Sequence, residues 1–144
     1  MPTTVKNVLD AKGYAVVAVD PSKTLQQVAE ILNEKKIGAV VIVGVEQRIA
    51  GIFTERDLVR SIAKHGCDVL SETVRSVMTT TIQHCRLEQT VDEVMAMMTA
   101  GRFRHVPVEK DGQLAGIISI GDVVKTRMQE VEMEAEQMKA YIAS

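Results

Sequence analysis

The stretch Gly51-Ile52-Phe53-Thr54-Glu55-Arg56-Asp57 is written twice in this chain, returning sixty-five positions later as Gly116-Ile117-Ile118-Ser119-Ile120-Gly121-Asp122. In each copy a Gly precedes two apolar residues, a hydroxyl residue, two variable positions and an Asp. A hydroxyl followed by an acid three residues on, opening an apolar-periodic run, marks a helix N-terminus. Each copy therefore reads as a strand that turns directly into a helix. Such a corner holds anions readily, because the first backbone N–H groups of a helix are unpaired and its dipole favours negative charge. Two corners suggest two copies of one nucleotide-sized site.

The rest of the chain repeats around them. Residues 5–12 predict a short helix stopped at Gly13, and Tyr14 to Val19 a strand ended by Asp20-Pro21-Ser22. Thr24-x-x-Gln27 is a capping box opening a helix with Leu25, Val28, Ala29, Ile31 and Leu32 on one face. Ala39 to Val43 is a branched-aliphatic run of the kind buried in a sheet, Glu46-Gln47-Arg48 a hairpin turn, and Ile49 to Phe53 the returning strand. A helix from about Glu55 to Lys64 follows. At an offset of sixty-six, Thr90-x-x-Glu93 matches the first capping box and Val106-Pro107-Val108 matches Val40-Val41-Ile42. Thr81-Ile82 aligns with Val16, and Lys110-Asp111-Gly112 is the second hairpin turn. The chain is thus an internal duplication of a β-α-β-β-α unit, an α/β (α+β) fold divided as 1–73 and 74–144. The short connector, about His65 to Arg75, favours two halves packed together.

Composition narrows the function classes. The 144 residues are 46% apolar but only 3% aromatic, so the core is aliphatic. A net charge of −2 argues against a nucleic-acid protein, which would show a basic face. Cys67 and Cys85 form no Cys-x-x-Cys pair, and no spacing resembles a zinc motif. His84 and Cys85, being adjacent, would point to opposite faces of a strand. The N-terminus lacks an apolar signal-peptide region, and Ala39 to Val45 falls far short of the ~20 residues of a membrane helix. A soluble, reduced, cytoplasmic protein is expected. Seven of the eight methionines follow residue 77, mostly at helical spacing, and read as core filler.

The repeat resembles a tandem pair of cystathionine-β-synthase-type (CBS) domains, the Bateman module. The residues that carry the resemblance are Gly51 to Asp57, Val77-Met78-Thr79, Phe103-Arg104-His105-Val106-Pro107-Val108 and Gly116 to Asp122, within about residues 5–128. It implies two pseudo-symmetric halves with sheets packed together and two ligand clefts between them. It also implies an adenosine-type ligand such as AMP, ADP, ATP, S-adenosylmethionine or a dinucleotide like NAD, held as a regulatory ligand rather than a required cofactor. In that family the corner Asp bonds the ribose hydroxyls and the nearby Thr or Ser supports ribose or phosphate, which carries over to Thr54 and Asp57, and to Ser119 and Asp122.

The residues fit that chemistry on their own terms. One ionised carboxylate accepts both hydroxyls of a ribose diol in charge-assisted bonds. A phosphate needs N–H donors and positive charge. Arg102, Arg104 and His105 cluster beside the strand leading to the Ser119 corner, where they read as a phosphate clamp, with Phe103 and Pro107 beside them. The first half has Lys36, Gly38 and Ala39 at those positions, so its cleft has fewer phosphate partners unless Lys36 or Arg56 reaches across. Strand ends such as Val16-Val17 and Thr81-Ile82 would wall an adenine. Helix capping alone accounts for the same two corners, and the two roles are compatible. Val124, Met128, Val131, Ala135, Met138 and Ile142, at steps of 4, 3, 4, 3 and 4, form a heptad seam on a helix running to about Ala143. That seam either packs on its own half or makes a homodimer; the homodimer is the expectation. The function expected is that of a nucleotide sensor acting on an effector protein. The rival readings are a structural dimerisation module and an enzyme acting on a phosphorylated nucleoside.

Overall fold

A computed structural model describes residues 2–144 of the chain. Helix α1 (Val5–Lys12) begins at a capping box, Thr4 with Asn7, and ends at Gly13, whose φ of 107° suits a residue without Cβ. Strand β1 (Ala18–Val19), helix α2 (Leu25–Lys35), strands β2 (Ala39–Val43) and β3 (Ile49–Thr54), and helix α3 (Glu55–His65) complete the first repeat. The second repeat contains helix α4 (Val91–Gly101), strands β4 (His105–Lys110) and β5 (Gln113–Ser119), and the 24-residue helix α5 (Ile120–Ala143). Strands β1, β2 and β3 form one sheet, β4 and β5 another. The capping boxes expected at Thr24, Thr54, Thr90 and Ser119 are all formed.

Two expected strands are corrected. The run from Tyr14 narrows to Ala18–Val19, paired in parallel with Val41 and Ile42. Thr81-Ile82 forms no strand; at the matching place a single bridge joins Cys85 to Val108. Both segments run along the molecular surface before reaching β2 or β4; only Val19 and Cys85 are buried, with Val17 packed on the first core. The hairpin turns also differ. Asp111 and Gly112, at φ 53° and 78°, make the two-residue turn with both central residues left-handed that matches strand twist. The first turn is a short 3₁₀ segment, Val45–Gln47.

The two cores are exchanged along the chain. Val5, Val8 and Leu9 of α1 are buried with Val94, Met98, Val106, Val108 and Ile118 of the second repeat. Val69 and Val74, from the connector, are buried with Leu25, Val28, Val40 and Phe53 of the first. Matched hydrogen bonds fix both exchanges: Val5 N–H donates to Gln89 (2.8 Å) as Val74 N–H does to Lys23 (2.7 Å). Lys6 N–H likewise donates to Leu87 as Arg75 N–H does to Pro21. Each repeat is therefore closed by the segment that precedes the other. Close approach of these segments requires glycine at the repeated corner: a Cβ on Gly116 would lie 2.7 Å from Leu9 Cδ1, and one on Gly51 2.8 Å from Met78 Sδ and from Thr79 O.

The methionines divide. Met98 is buried and Met78, Met95 and Met97 pack on the cores, as expected of filler. Met128, Met133 and Met138 do not: they lie exposed on α5, which buries only Val123. The helix outruns the domain beneath it, and among the described residues its large apolar side chains from Val124 onward stay exposed.

Candidate functional site

At each corner the hydroxyl and the acid cap a helix reciprocally. Thr54 Oγ1 accepts from Asp57 N–H at 3.2 Å, and Asp57 Oδ2 accepts from Thr54 N–H at 3.0 Å. Ser119 and Asp122 repeat this at 3.2 and 2.8 Å. Capping does not exhaust a carboxylate, which has about four acceptor sites. Asp57 Oδ1 lies only loosely against Arg60, at 3.5 Å.

A cleft of about 810 Å³ opens at the first corner. One wall is the start of α3, with Thr54, Glu55, Arg56, Asp57, Val59 and Arg60. The opposite wall comes from the second repeat: Thr79, Thr81, Ile82 and Gln83 from the surface segment before Cys85, and Arg102, Phe103, Arg104, His105 and Pro107 from the turn into β4. Arg102 caps α4 in the left-handed region at φ 57°, as Lys36 caps α2 at φ 55°. Such a conformation costs a non-glycine residue roughly 1–2 kcal/mol. Four guanidinium groups, Arg56, Arg60, Arg102 and Arg104, thus surround one cavity that also holds the carboxylates of Glu55 and Asp57. Burial keeps His105 below its usual pKa; Glu55 and Asp122 pull it up, while Lys12 and Arg104 push it further down. The cleft offers guanidinium donors and a helix N-terminus for phosphate, a carboxylate for a diol, and Ile52, Val59, Ile82, Phe103 and Pro107 as apolar wall.

The CBS domain profile matches the chain twice, over residues 6–64 and 74–128. The chain belongs to the CBS domain family. A mitochondrial CBS domain-containing protein of Arabidopsis thaliana, CBSX3, is 34% identical over 97% of this chain and 72% of its own length. The crystal structure of a CBS-domain containing protein from Agrobacterium tumefaciens shares 50% identity at a TM-score of 0.84, covering 88% of this chain and 95% of that one. The fold is also that of the CBS domain pair of protein MJ0100, solved in complex with 5′-methylthioadenosine and S-adenosyl-L-methionine, at 22% identity and a TM-score of 0.81, covering 90% and 99%.

In this CBS pair the candidate residues do not group as the linear offsets suggested. Thr54, Arg56, Asp57, Thr81, Ile82, Arg102, Phe103, Arg104, His105 and Pro107 share the one cleft; Val17, Ser119 and Asp122 do not line it. The basic turn adjoins the Ser119 corner through the backbone, since Ile120 N–H donates to Arg104 O at 2.8 Å and His105 pairs with Ser119. Its residues nevertheless line the Asp57 cleft, so the basic turn faces the first corner rather than the second. The cleft is assembled across the pseudo-twofold, which a within-repeat alignment does not reveal. Among the lining residues, Ile52, Glu55, Val59, Arg60, Thr79 and Gln83 were not identified from the sequence. Arg60 had a signal: it follows Arg56 by four positions and so shares its helix face.

Asp122 has a different neighbour. Its Oδ2 accepts from Lys12 Nζ at 2.7 Å, in addition to Ser119 N–H and Ser119 Oγ. Burial alone would raise this carboxyl's pKa, but the Lys12 and Ser119 hydrogen bonds and the Lys12 charge hold it below the usual range. Cys85, buried in the core, has its thiol pushed up to about 12 by desolvation, and His84 Nε2 sits 2.8 Å from Glu109.

Proposed function

We propose that this CBS pair is a regulatory module that senses a phosphorylated adenosine derivative, AMP, ADP, ATP or NAD(H), in the Asp57 cleft, and catalyses no reaction of its own. One observation carries the reading: a helix-start carboxylate and a cluster of arginines face each other across a cleft whose two walls come from different repeats. A ligand bridging those walls binds best in one relative placement of the repeats, and so converts occupancy into shape. Asp57 accepts the ribose diol, Arg102 and Arg104 meet the phosphate, and Ile82 and Phe103 flank the base. The adenosine derivatives in the MJ0100 complex support the choice of nucleoside.

We further propose that the module is a homodimer joined through the seam of α5, from which it signals to an effector protein. The exposed seam also favours the alternative of a dimerisation module without a physiological ligand. A thermal-shift screen with AMP, ATP, NAD and adenosine decides between them. The sensor reading expects a rise in Tm with the phosphorylated ligands, reduced in Asp57→Asn and in Arg104→Ala. No shift with any of them leaves the dimerisation module, and turnover of ATP or NAD makes the protein an enzyme.

A further inference from the structure

The two corners are not equivalent, and the difference comes from the segments that close the repeats. Leu9 meets Gly116 as Met78 meets Gly51, which makes Leu9 and Met78 counterparts. Three residues beyond these anchors stand Lys12 and Thr81. After Met78 the chain is extended: Thr79 exchanges both backbone hydrogen bonds with Ile52, at 3.1 Å each, and Thr81 lines the Asp57 cleft. After Leu9 the chain stays helical to Lys12, one turn on and on the same face. Leu9 is fully buried, so the last turn of α1 is anchored. Its Lys12 ammonium therefore arrives at Asp122 Oδ2, bridging 110 positions of chain at 2.7 Å. Three donors then converge on that one oxygen.

The surrounding charges agree. The repeat offsets place Gly121 where the first corner has Arg56, and Gly38 where the other wall has Arg104. The second corner thus has none of the four guanidinium groups: glycines stand for Arg56 and Arg104, and Lys125 and Lys36 for Arg60 and Arg102, while Lys12 pairs directly with its acid.

We infer that Lys12 is an internal occupant of the second corner: its ammonium neutralises the carboxylate charge that a ribose diol would draw on and limits the chain to one nucleoside site, at Asp57. This rests on the proposed ligand class for that site. The test uses the intact protein, saturated with AMP and then titrated with adenosine, which carries the diol without the phosphate. Native protein is expected to bind one AMP per chain and no adenosine thereafter. Lys12→Met is expected to gain one adenosine per chain, and Lys12→Gln the same, while Lys12→Arg, which keeps the ion pair, stays closed. Adenosine binding to the AMP-saturated native protein, or no gain in either Lys12→Met or Lys12→Gln when both melt as the native does, overturns the inference. If none of AMP, ADP, ATP and NAD binds the native protein, the proposed function falls. Adenosine titrated directly into native and Lys12→Met protein still decides the inference: a site gained only in the variant upholds it, and equal behaviour overturns it.

Discussion

Replacing Val131 by Asp isolates the α5 seam, because Val131 touches neither the cores nor the cleft. The seam residues Val124, Met128, Val131, Met138 and Ile142 are between 50% and 79% exposed in the single chain. Fully burying such a side chain is worth about 1.5–3 kcal/mol, so recovering the exposed part is worth roughly 1–2 kcal/mol each. In a twofold dimer a single substitution is felt twice, for a loss of about 2–4 kcal/mol. That corresponds to a dissociation constant roughly 30- to 700-fold higher, towards the low end once side-chain ordering is charged against burial. Light scattering on eluting protein at tens of micromolar should show a dimer for the native chain and monomer or exchanging species for Val131→Asp. The monomer's cores should be intact, since α5 buries only Val123. Ending the chain after Val124 should act in the same direction and more strongly. A native chain that elutes as a monomer, or a Val131→Asp protein that remains a tight dimer, would refute the seam as an interface.

Two further outcomes follow from the packing and the half-buried His105. Gly51→Ala should destabilise the fold by about 1–3 kcal/mol through overpacking, and by more than Gly116→Ala. The added methyl at Gly51 meets the Thr79 backbone carbonyl, whereas at Gly116 it meets only the end of the Leu9 side chain; denaturant titration gives the order. His105 binds its proton less readily folded than unfolded, so the unfolded chain takes up more protons near and below pH 6.5 and stability falls as pH drops through that region. Melting temperatures between pH 5 and 8 should show this slope, set against the facing groups Glu55, Asp122, Lys12 and Arg104, and His105→Gln should flatten it.

Local signals in the sequence corresponded closely to local structure. The four Thr or Ser capping boxes, the stop at Gly13 and the Asp111-Gly112 turn each depend on a few adjacent residues, and each formed where expected. Marginal strands were less legible, because the segments before Val19 and Cys85 hold β-prone residues but have only one neighbour to pair with. The grouping of Arg104 with Asp57 rather than Asp122 was not legible at all. Aligning the repeats compares positions within each half, whereas the cleft joins the start of α3 to the turn before β4 across the pseudo-twofold. The Lys12–Asp122 pair was hidden for the same reason: it depends on α1 packing into the second core and on the different paths taken after Leu9 and Met78.

In the proposed function Asp57 accepts a ribose diol in addition to capping α3. Calorimetric titration of AMP and 2′-deoxy-AMP into native and Asp57→Asn protein tests it directly, since Asn still caps a helix but lacks the charge that strengthens diol recognition. Native protein should prefer AMP by about 1.5–3 kcal/mol, the worth of hydrogen bonds to a charged group, and the preference should largely vanish in Asp57→Asn. Equal affinity of the native protein for the two nucleotides, with AMP bound undiminished by Asp57→Asn, would contradict the claim and leave the corner a helix cap alone.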